Sequence, residues 1–445
     1  MTPAARLQAA ADILDQLSGT RATAEVVVKQ WGQSNRYAGS KDRRAIADRV
    51  YRCLRARQRL LWAMELNERS QPQGRALVLA SLSLIDGLPL TEIANLFSGE
   101  GYGPKPLTET EIRRLSAEAG DVPEWVMSGL PEHVVGRFQQ QYGDNWAAEA
   151  TALMLPRAPI DLRVNSAKTT RAEMIAALEA DGLSPVPTPF SRHGIRLASE
   201  PPPNLVKLDI YQSGRIEIQD EGSQLAAFIA GAGILPGAAK VVDFCAGGGG
   251  KTMALTQMMQ GEGEIFACDV VEKRLKAIEP RLLRAGATAH FVHFADPEDA
   301  APLEALMEAD LVLVDAPCSG SGTWRRHPED AQRLDEAKLA GLHDLQTRIL
   351  ARAATCVKAG GRLVYVTCSV LTDENKATTE AFEATHPDFA PLSLQALLKN
   401  SAGNIDHTET LSLLAAGGHT LSLTPHTTQT DGFYIAAYMR QPKAT

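Results

Sequence analysis

Between residues 240 and 439, short apolar runs alternate with stretches of helical spacing. The runs are KVVDFCA (240–246), EIFACD (264–269), HFVHF (290–294), DLVLVDA (310–316), RLVYVTC (362–368) and GFYIAAYM (432–439). Helical patterns fill the gaps at about 251–259, 271–284, 342–357 and 373–384. Strand and helix in this alternation build a mostly parallel sheet covered by helices on both faces, so a Rossmann-like, doubly wound α/β fold is expected. Such a fold places its ligands at the carboxyl ends of its strands. The first run leads there into a glycine-rich turn, CAGGGGKT (245–252), and the second ends in Asp269, an acid suited to accept hydrogen bonds from ribose hydroxyls. The fourth and fifth runs lead into Pro-Cys and Thr-Cys, which deliver the thiols of Cys318 and Cys368 to the same edge.

Upstream the pattern changes twice. Apolar residues at helical spacing occupy 5–17, 42–64, 74–86 and 131–154, with no alternating strand pattern among them, so 1–150 reads as an all-α domain. Its stretch 41–60 carries Lys41, Arg43, Arg44, Arg49, Arg52, Arg55, Arg57 and Arg59 against Asp42 and Asp48. These charges suit either phosphate contact or the solvated face of an amphipathic helix. Residues 151–235 mix IDLRVN, a strand, with RAEMIAALEADG, a helix stopped at a glycine, and with short strands or turns in SRHGIRLAS and GRIEIQDEGS. A small α+β domain fits them, EPPPNLV (200–206) being a loop, and the α/β domain then spans 236–441.

The formal net charge of −8 excludes a nonspecific polyanion binder but not an enzyme that meets RNA through local basic patches. The six cysteines lack the paired C-x-x-C spacing of a zinc site or a secreted disulfide framework, and no metal is expected. Cys53, Cys268 and Cys356 read as small buried hydrophobes. No apolar signal core or run of about eighteen apolar residues occurs, which leads to the expectation of a cytoplasmic protein without a membrane partner. CAGGGGKT is one residue from the phosphate-binding pattern G-x-x-x-x-G-K-[ST], so a P-loop-like NTPase competes. Cys245 stands where the first glycine of that pattern belongs, and nucleotide hydrolysis gives no reason for Pro-Cys and Thr-Cys at successive strand ends.

DFCAGGGGKT, DAPCSGSGTWRRHPE and YVTCSV, in this order and spacing, resemble the RsmB/Nol-Sun family of S-adenosylmethionine-dependent RNA cytosine-5 methyltransferases. DLRVNSAKTT (161–170) and IQDEGSQLAA (218–227) resemble the small domain of that family, and the helical N-terminus resembles the NusB-like domain of its bacterial RsmB branch. The resemblance implies a methyl transfer from S-adenosylmethionine to cytosine carbon 5, with Cys368 as the nucleophile and Cys318 assisting release of the product. It implies a cofactor turn of Cys245, Ala246, Gly247, Gly248, Gly249, Gly250 and Lys251, with Asp269, Asp296 and Asp315 as further cofactor contacts. Asp315 is otherwise a turn or cap residue, and Asp296 otherwise a solvated loop acid. The family usually carries Ala-Pro where this chain has Gly247 and Gly248, which costs the turn some rigidity.

Arg325 and Arg326 would hold the RNA backbone near the target base unless they are plain surface charge, while His327 shapes their loop. Arg163, Asn165 and Lys168 would extend the RNA track by resemblance alone. The expected partner is RNA, in first place small-subunit ribosomal RNA and in second place tRNA, acted on by a monomer. An RNA-binding assembly factor without turnover is the alternative of another class.

Overall fold

The computed structural model describes residues 1–67, 72–117, 120–198, 203–295, 301–415 and 418–442. They divide into two compact units, Met1–Arg157 with Thr323–Leu334, and Ala158–Gly322 with Asp335–Thr445.

The first unit is helical, and its core gathers Ile13, Leu14, Ile46, Val50, Leu60 and Leu77. Helix Pro3–Ser18 starts at Thr2, whose hydroxyl accepts the Ala5 N–H at 3.1 Å; Pro3 fills the first turn, where its missing N–H leaves no bond unmade. Helix Gly74–Leu84 begins against it. Asp15 Oδ1 accepts the N–H groups of Gln73 (2.9 Å) and Gly74 (2.6 Å), and a Cβ on Gly74 would strike the Ala11 carbonyl, so only glycine permits this crossing. The periodicity of 42–64 belongs to two helices, Ser40–Arg55 and Arg57–Ala63, that meet at Ala56. That of 131–154 is interrupted at Gly143, whose φ of +53° leaves the helical region between Glu132–Tyr142 and Trp146–Met154. The basic stretch is divided too. Lys41, Arg43 and Arg44 are exposed, whereas Arg49 and Arg52 pair with Asp86 at 2.5 and 2.9 Å.

Residues 323–334, within the stretch expected to form the α/β domain, group by their contacts with the helical unit. Trp324 is fully buried and stacks on Phe138 with centroids 6.5 Å apart. Glu329 Oε1 accepts the Ala24 N–H at 2.8 Å, and Arg333 donates to the carbonyls of Leu17, Thr20 and Ala22, a cation placed at the end of helix Pro3–Ser18.

The second unit holds two sheets. Strands β1 (Ile160–Val164), β2 (Pro185–Pro187), β3 (Gly194–Leu197) and β4 (Ile216–Ile218) form an antiparallel sheet in the order β2-β3-β1-β4. Helix Arg171–Ala180, opened by a Thr170–Glu173 capping box, lays Met174 and Leu178 on Leu162, Ile195 and Ile216. Of the loop expected at 200–206, residues 200–202 lie outside the described residues, and Leu205–Lys207 is a 3-10 turn.

The larger sheet contains β5 (Lys240–Asp243), β6 (Glu264–Asp269), β7 (His290–His293), β8 (Ala309–Asp315), β9 (Val357–Thr367), β10 (Phe389–Pro391), β11 (Thr420–Leu423) and β12 (Phe433–Arg440). Its order is β10-β12-β9-β8-β5-β6-β7, with β11 also paired to β12. The five strands from β9 to β7 are mutually parallel, and β12 joins β9 antiparallel. Val241, Leu311, Leu313, Val364 and Val366 point into one core layer, and Val242, Val312, Val314 and Leu363 into the other. A sheet apolar on both faces explains why its strands read as unbroken hydrophobic runs. The parallel register brings the ends of β5, β6, β8 and β9 to one edge, each followed by a loop that carries chemistry.

Candidate active site

The turn after β5 is shaped by glycines. Gly247 (φ +54°) and Gly249 (φ +78°) both occupy the left-handed region, and a Cβ on Gly249 would lie 2.7 Å from Ile278. The chain then enters helix Gly250–Met259. Asp269, at the end of β6, grips this turn from the side: Oδ2 accepts the Gly247 N–H at 3.0 Å and Oδ1 the Val271 N–H at 2.7 Å. Each oxygen keeps a lone pair after that, so the carboxylate still fits a vicinal diol such as a ribose. Cys245, in the same turn, has its thiol pushed up by burial and by Asp243, which suits packing and not nucleophilic attack. Asp296 lies outside the described residues.

Asp243 was not singled out from the sequence, although a carboxylate inside the apolar run VVDF was a signal. It is fully buried; Oδ2 accepts the Thr252 hydroxyl at 2.6 Å and Oδ1 has no partner. Burial pushes its acid up to about 7, against the pull of the Thr252 hydrogen bond and with help from Asp315. A carboxyl whose folded value is raised binds more protons in the native state, so its contribution is complete at low pH and is lost as the pH climbs to about 7. Asp243→Asn is therefore expected to abolish a fall in stability on the order of 4 kcal/mol between about pH 4 and about pH 7. Urea unfolding across that range checks it; parallel curves for the two proteins would show that Asp243 does not titrate.

The two thiols predicted from separate motifs are in contact. Cys318, past the end of β8, and Cys368, past the end of β9, have their sulfurs 3.4 Å apart with both cysteines free. The Cys318 thiol is pushed well up by its hydrogen bond to Cys368, by burial and by the charges of Cys368 and Glu374. Lys251 Nζ donates to Asp315 Oδ2 at 2.6 Å and lies 5.1 Å from the Phe433 ring centroid. Burial opposes the ammonium, but Asp315, with smaller help from Cys368 and Asp243, more than offsets it, and Lys251 stays charged beside the thiols.

Beneath them sits Glu374, a residue the sequence reading passed over. It is fully buried; Oε1 accepts Ser319 N–H (2.6 Å) and Gln346 Nε2–H (3.0 Å), and Oε2 accepts the hydroxyls of Ser369 (2.6 Å) and Ser319. The Gly322 N–H meets the Cys368 carbonyl at 2.9 Å, the Ser321 hydroxyl lies 2.8 Å from that of Ser369, and Ser321 Oγ accepts the Val370 N–H at 3.0 Å. Asn375 ties the second loop to its own strand, accepting from Thr367 and donating to the Ser369 carbonyl.

The residues expected on an RNA track are placed otherwise. Arg163 is 3% exposed; Nε donates to Gln219 at 2.6 Å, its guanidinium also meets Gln257, and burial lowers it to about 10 against the pull of Glu217. Lys168 donates to the carbonyls of Ser213 (3.0 Å) and Arg284 (2.6 Å), and Asn165 to those of Gly214 (3.0 Å) and Ala285 (2.8 Å). These side chains fasten the small sheet to the end of helix Glu272–Ala285, where bare carbonyls attract donors and cations. Arg163 is thus enclosed, while Lys168 is exposed and spends its hydrogen bonds on the protein's own carbonyls. Arg325 is buried and Arg326 half-buried, within the segment that packs in the helical unit, so neither is plain surface charge. Among the described residues no three side chains of metal-binding type gather, and no helix is long and apolar enough to cross a membrane.

A parallel sheet with this strand order, a glycine turn after its first strand and an acid after its second defines a Rossmann-like methyltransferase. Residues 236–439 match the family described as 16S rRNA methyltransferase RsmB/F, and residues 130–203 match the ferredoxin-like domain described for RsmF/B-like methyltransferases. The probable ribosomal RNA small subunit methyltransferase B of Bacillus subtilis is 30% identical over 344 residues, 77% of this chain and 71% of that protein. Ribosomal RNA small subunit methyltransferase B of Sodalis glossinidius is 31% identical over 329 residues, 74% of this chain and 69% of the relative. Among solved structures, a methyltransferase homologue from Pyrococcus horikoshii superposes with a TM-score of 0.56 at 27% identity, covering 71% of this chain and 97% of that one. The chain belongs to the RsmB/F family of ribosomal RNA methyltransferases.

Proposed function

We propose that this RNA methyltransferase transfers a methyl group from S-adenosylmethionine to carbon 5 of a cytosine in small-subunit ribosomal RNA, through a covalent adduct on Cys368. The observation that carries the proposal is the pair of thiols in contact beside a charged Lys251–Asp315 pair, at the edge where the glycine turn and Asp269 also converge. S-adenosylmethionine, when bound, supplies its methyl as an electrophilic carbon on a sulfonium. The turn 245–251 and Asp269 have the shape and the free lone pairs to hold its amino-acid and ribose portions.

Carbon 5 of cytosine is a weak nucleophile, so the protein must raise its electron density. The Cys368 thiolate adds to carbon 6, and the ring becomes an enamine that is nucleophilic at carbon 5. After methyl transfer, carbon 5 carries a proton that must leave as the Cys368–carbon 6 bond breaks. Bonding of Cys368 to carbon 6 removes the hydrogen bond and charge that held the proton on Cys318, which loses it to solvent; the Cys318 thiolate then takes the carbon 5 proton, and elimination frees Cys368 and restores the aromatic ring. The Asp315 carboxylate, held by Lys251, can accept from the cytosine amino group. A base inside a helix cannot reach a buried thiol, so the target cytosine is unpaired or flipped out, and recognition then falls on RNA shape and loops.

Bisulfite sequencing of total RNA from cells with and without the gene tests this. One cytosine in small-subunit RNA should lose its protection from deamination when the protein is absent. A lost mark in tRNA would reassign the substrate, and no lost mark anywhere would leave a family member that binds RNA without turnover.

A further inference from the structure

We propose that Glu374 is the positioning residue that spaces Cys318 and Cys368, one buried carboxylate drawing hydrogens from both cysteine loops and locking the two sulfurs in contact. The inference deepens the proposed function and rests on its assignment of Cys368 as the attacking thiol.

The donors on Glu374 are the argument. Ser319 directly follows Cys318 and Ser369 directly follows Cys368, and both hydroxyls donate to the same oxygen, Oε2. A hydroxyl has one hydrogen to give. With those of Ser319 and Ser369 committed, the Ser321 hydroxyl must donate to Ser369 Oγ while it accepts the Val370 N–H. The ring of hydroxyls therefore has a single proton arrangement, and its Ser319–Glu374 and Ser321–Ser369 bonds join the Cys318 loop to the Cys368 loop. Gln346 closes the far side, donating both to Oε1 and to the carbonyl of Pro317, the residue before Cys318. A carboxylate with no solvent exposure must be held by such donors or become protonated, and four hydrogen bonds hold it here.

The arrangement also divides labour between the thiols. The negative charge of Glu374 is among the causes that raise Cys318. The raised Cys318 thiol keeps its proton and is not the attacking member of the pair.

The test applies dibromobimane, which links two neighbouring thiols, to the full-length protein and identifies the bridge by mass spectrometry. The wild type should bridge Cys318 to Cys368, and Glu374→Ala should slow bridging by roughly tenfold or more, as expected for residues coupled through one network. Glu374→Gln keeps an acceptor and can present its amide to the serine oxygens, so bridging should largely recover. With the charge gone, however, iodoacetamide should label Cys318 roughly tenfold faster relative to Cys368 at neutral pH. A glutamate that only stabilised the fold would change the melting temperature and leave that ratio alone. Wild-type bridging in Glu374→Ala, or an unchanged ratio in Glu374→Gln, overturns the proposal. If Glu374→Ala does not fold, the decision passes to Ser369→Ala, where undiminished bridging would overturn it. Bridging involves no RNA, so an active Cys368→Ala enzyme would remove the assigned roles while the spacing result stood by itself.

Discussion

Cys368→Ala should lower methylation by about four orders of magnitude or more, the scale on which removing the nucleophile of a covalent mechanism acts. It should also abolish any covalent complex with RNA, because no adduct can form without that sulfur. Cys318→Ala should behave differently. Attack and methyl transfer remain available, but the proton on carbon 5 loses its acceptor, so a protein–RNA adduct that survives denaturing electrophoresis should accumulate. The contact of the two sulfurs makes this separable, since a thiol 3.4 Å from the nucleophile is close enough to meet a proton one ring atom away from the attacked carbon. Adduct lost in Cys318→Ala and trapped in Cys368→Ala would exchange the roles. Full activity in both variants would end the covalent mechanism.

Both thiols were legible because each closes an apolar run with a distinctive dipeptide, and a strand end at a parallel edge has only one place to go. Asp269 and the glycine turn were legible for the same reason. Glu374 was not, because its function lies in contacts across the fold: Ser319, Ser369 and Gln346 are dispersed in sequence and meet only once β8 and β9 pair. Asp243 was hidden by its neighbours, since a run such as VVDF is scored for its apolar residues. The surroundings of the basic residues were not legible either. A lysine or arginine in a loop looks like a phosphate ligand, yet Lys168 caps the end of a helix and Arg163 is enclosed between glutamines. Composition shows charge but not the direction in which it points. The packing of 323–334 with the helices was not legible, because it depends on the stacking of Trp324 on Phe138, nearly two hundred residues away in sequence.

Lys251 joins the cofactor turn to the thiols, and its replacement should be felt at both. Its side chain is nearly buried, at 7% exposure, against an Asp315 side chain at 29%. Lys251→Met keeps the stem and the packing on Phe433 but leaves Asp315 without its cation. A broken buried pair costs about 3–5 kcal/mol, and the partial exposure of Asp315 reduces the expected loss here to about 1–3 kcal/mol. The larger effect should be chemical. The ammonium stays charged beside the thiols, so its loss should slow iodoacetamide labelling of Cys368 by roughly tenfold. Lys251→Arg separates charge from shape: the guanidinium restores the cation but presents a planar fork where a single point charge donates to Oδ2. Labelling should then recover while methylation does not. If Cys368 reacts at the same rate in wild type and in Lys251→Met, Lys251 serves the cofactor turn alone.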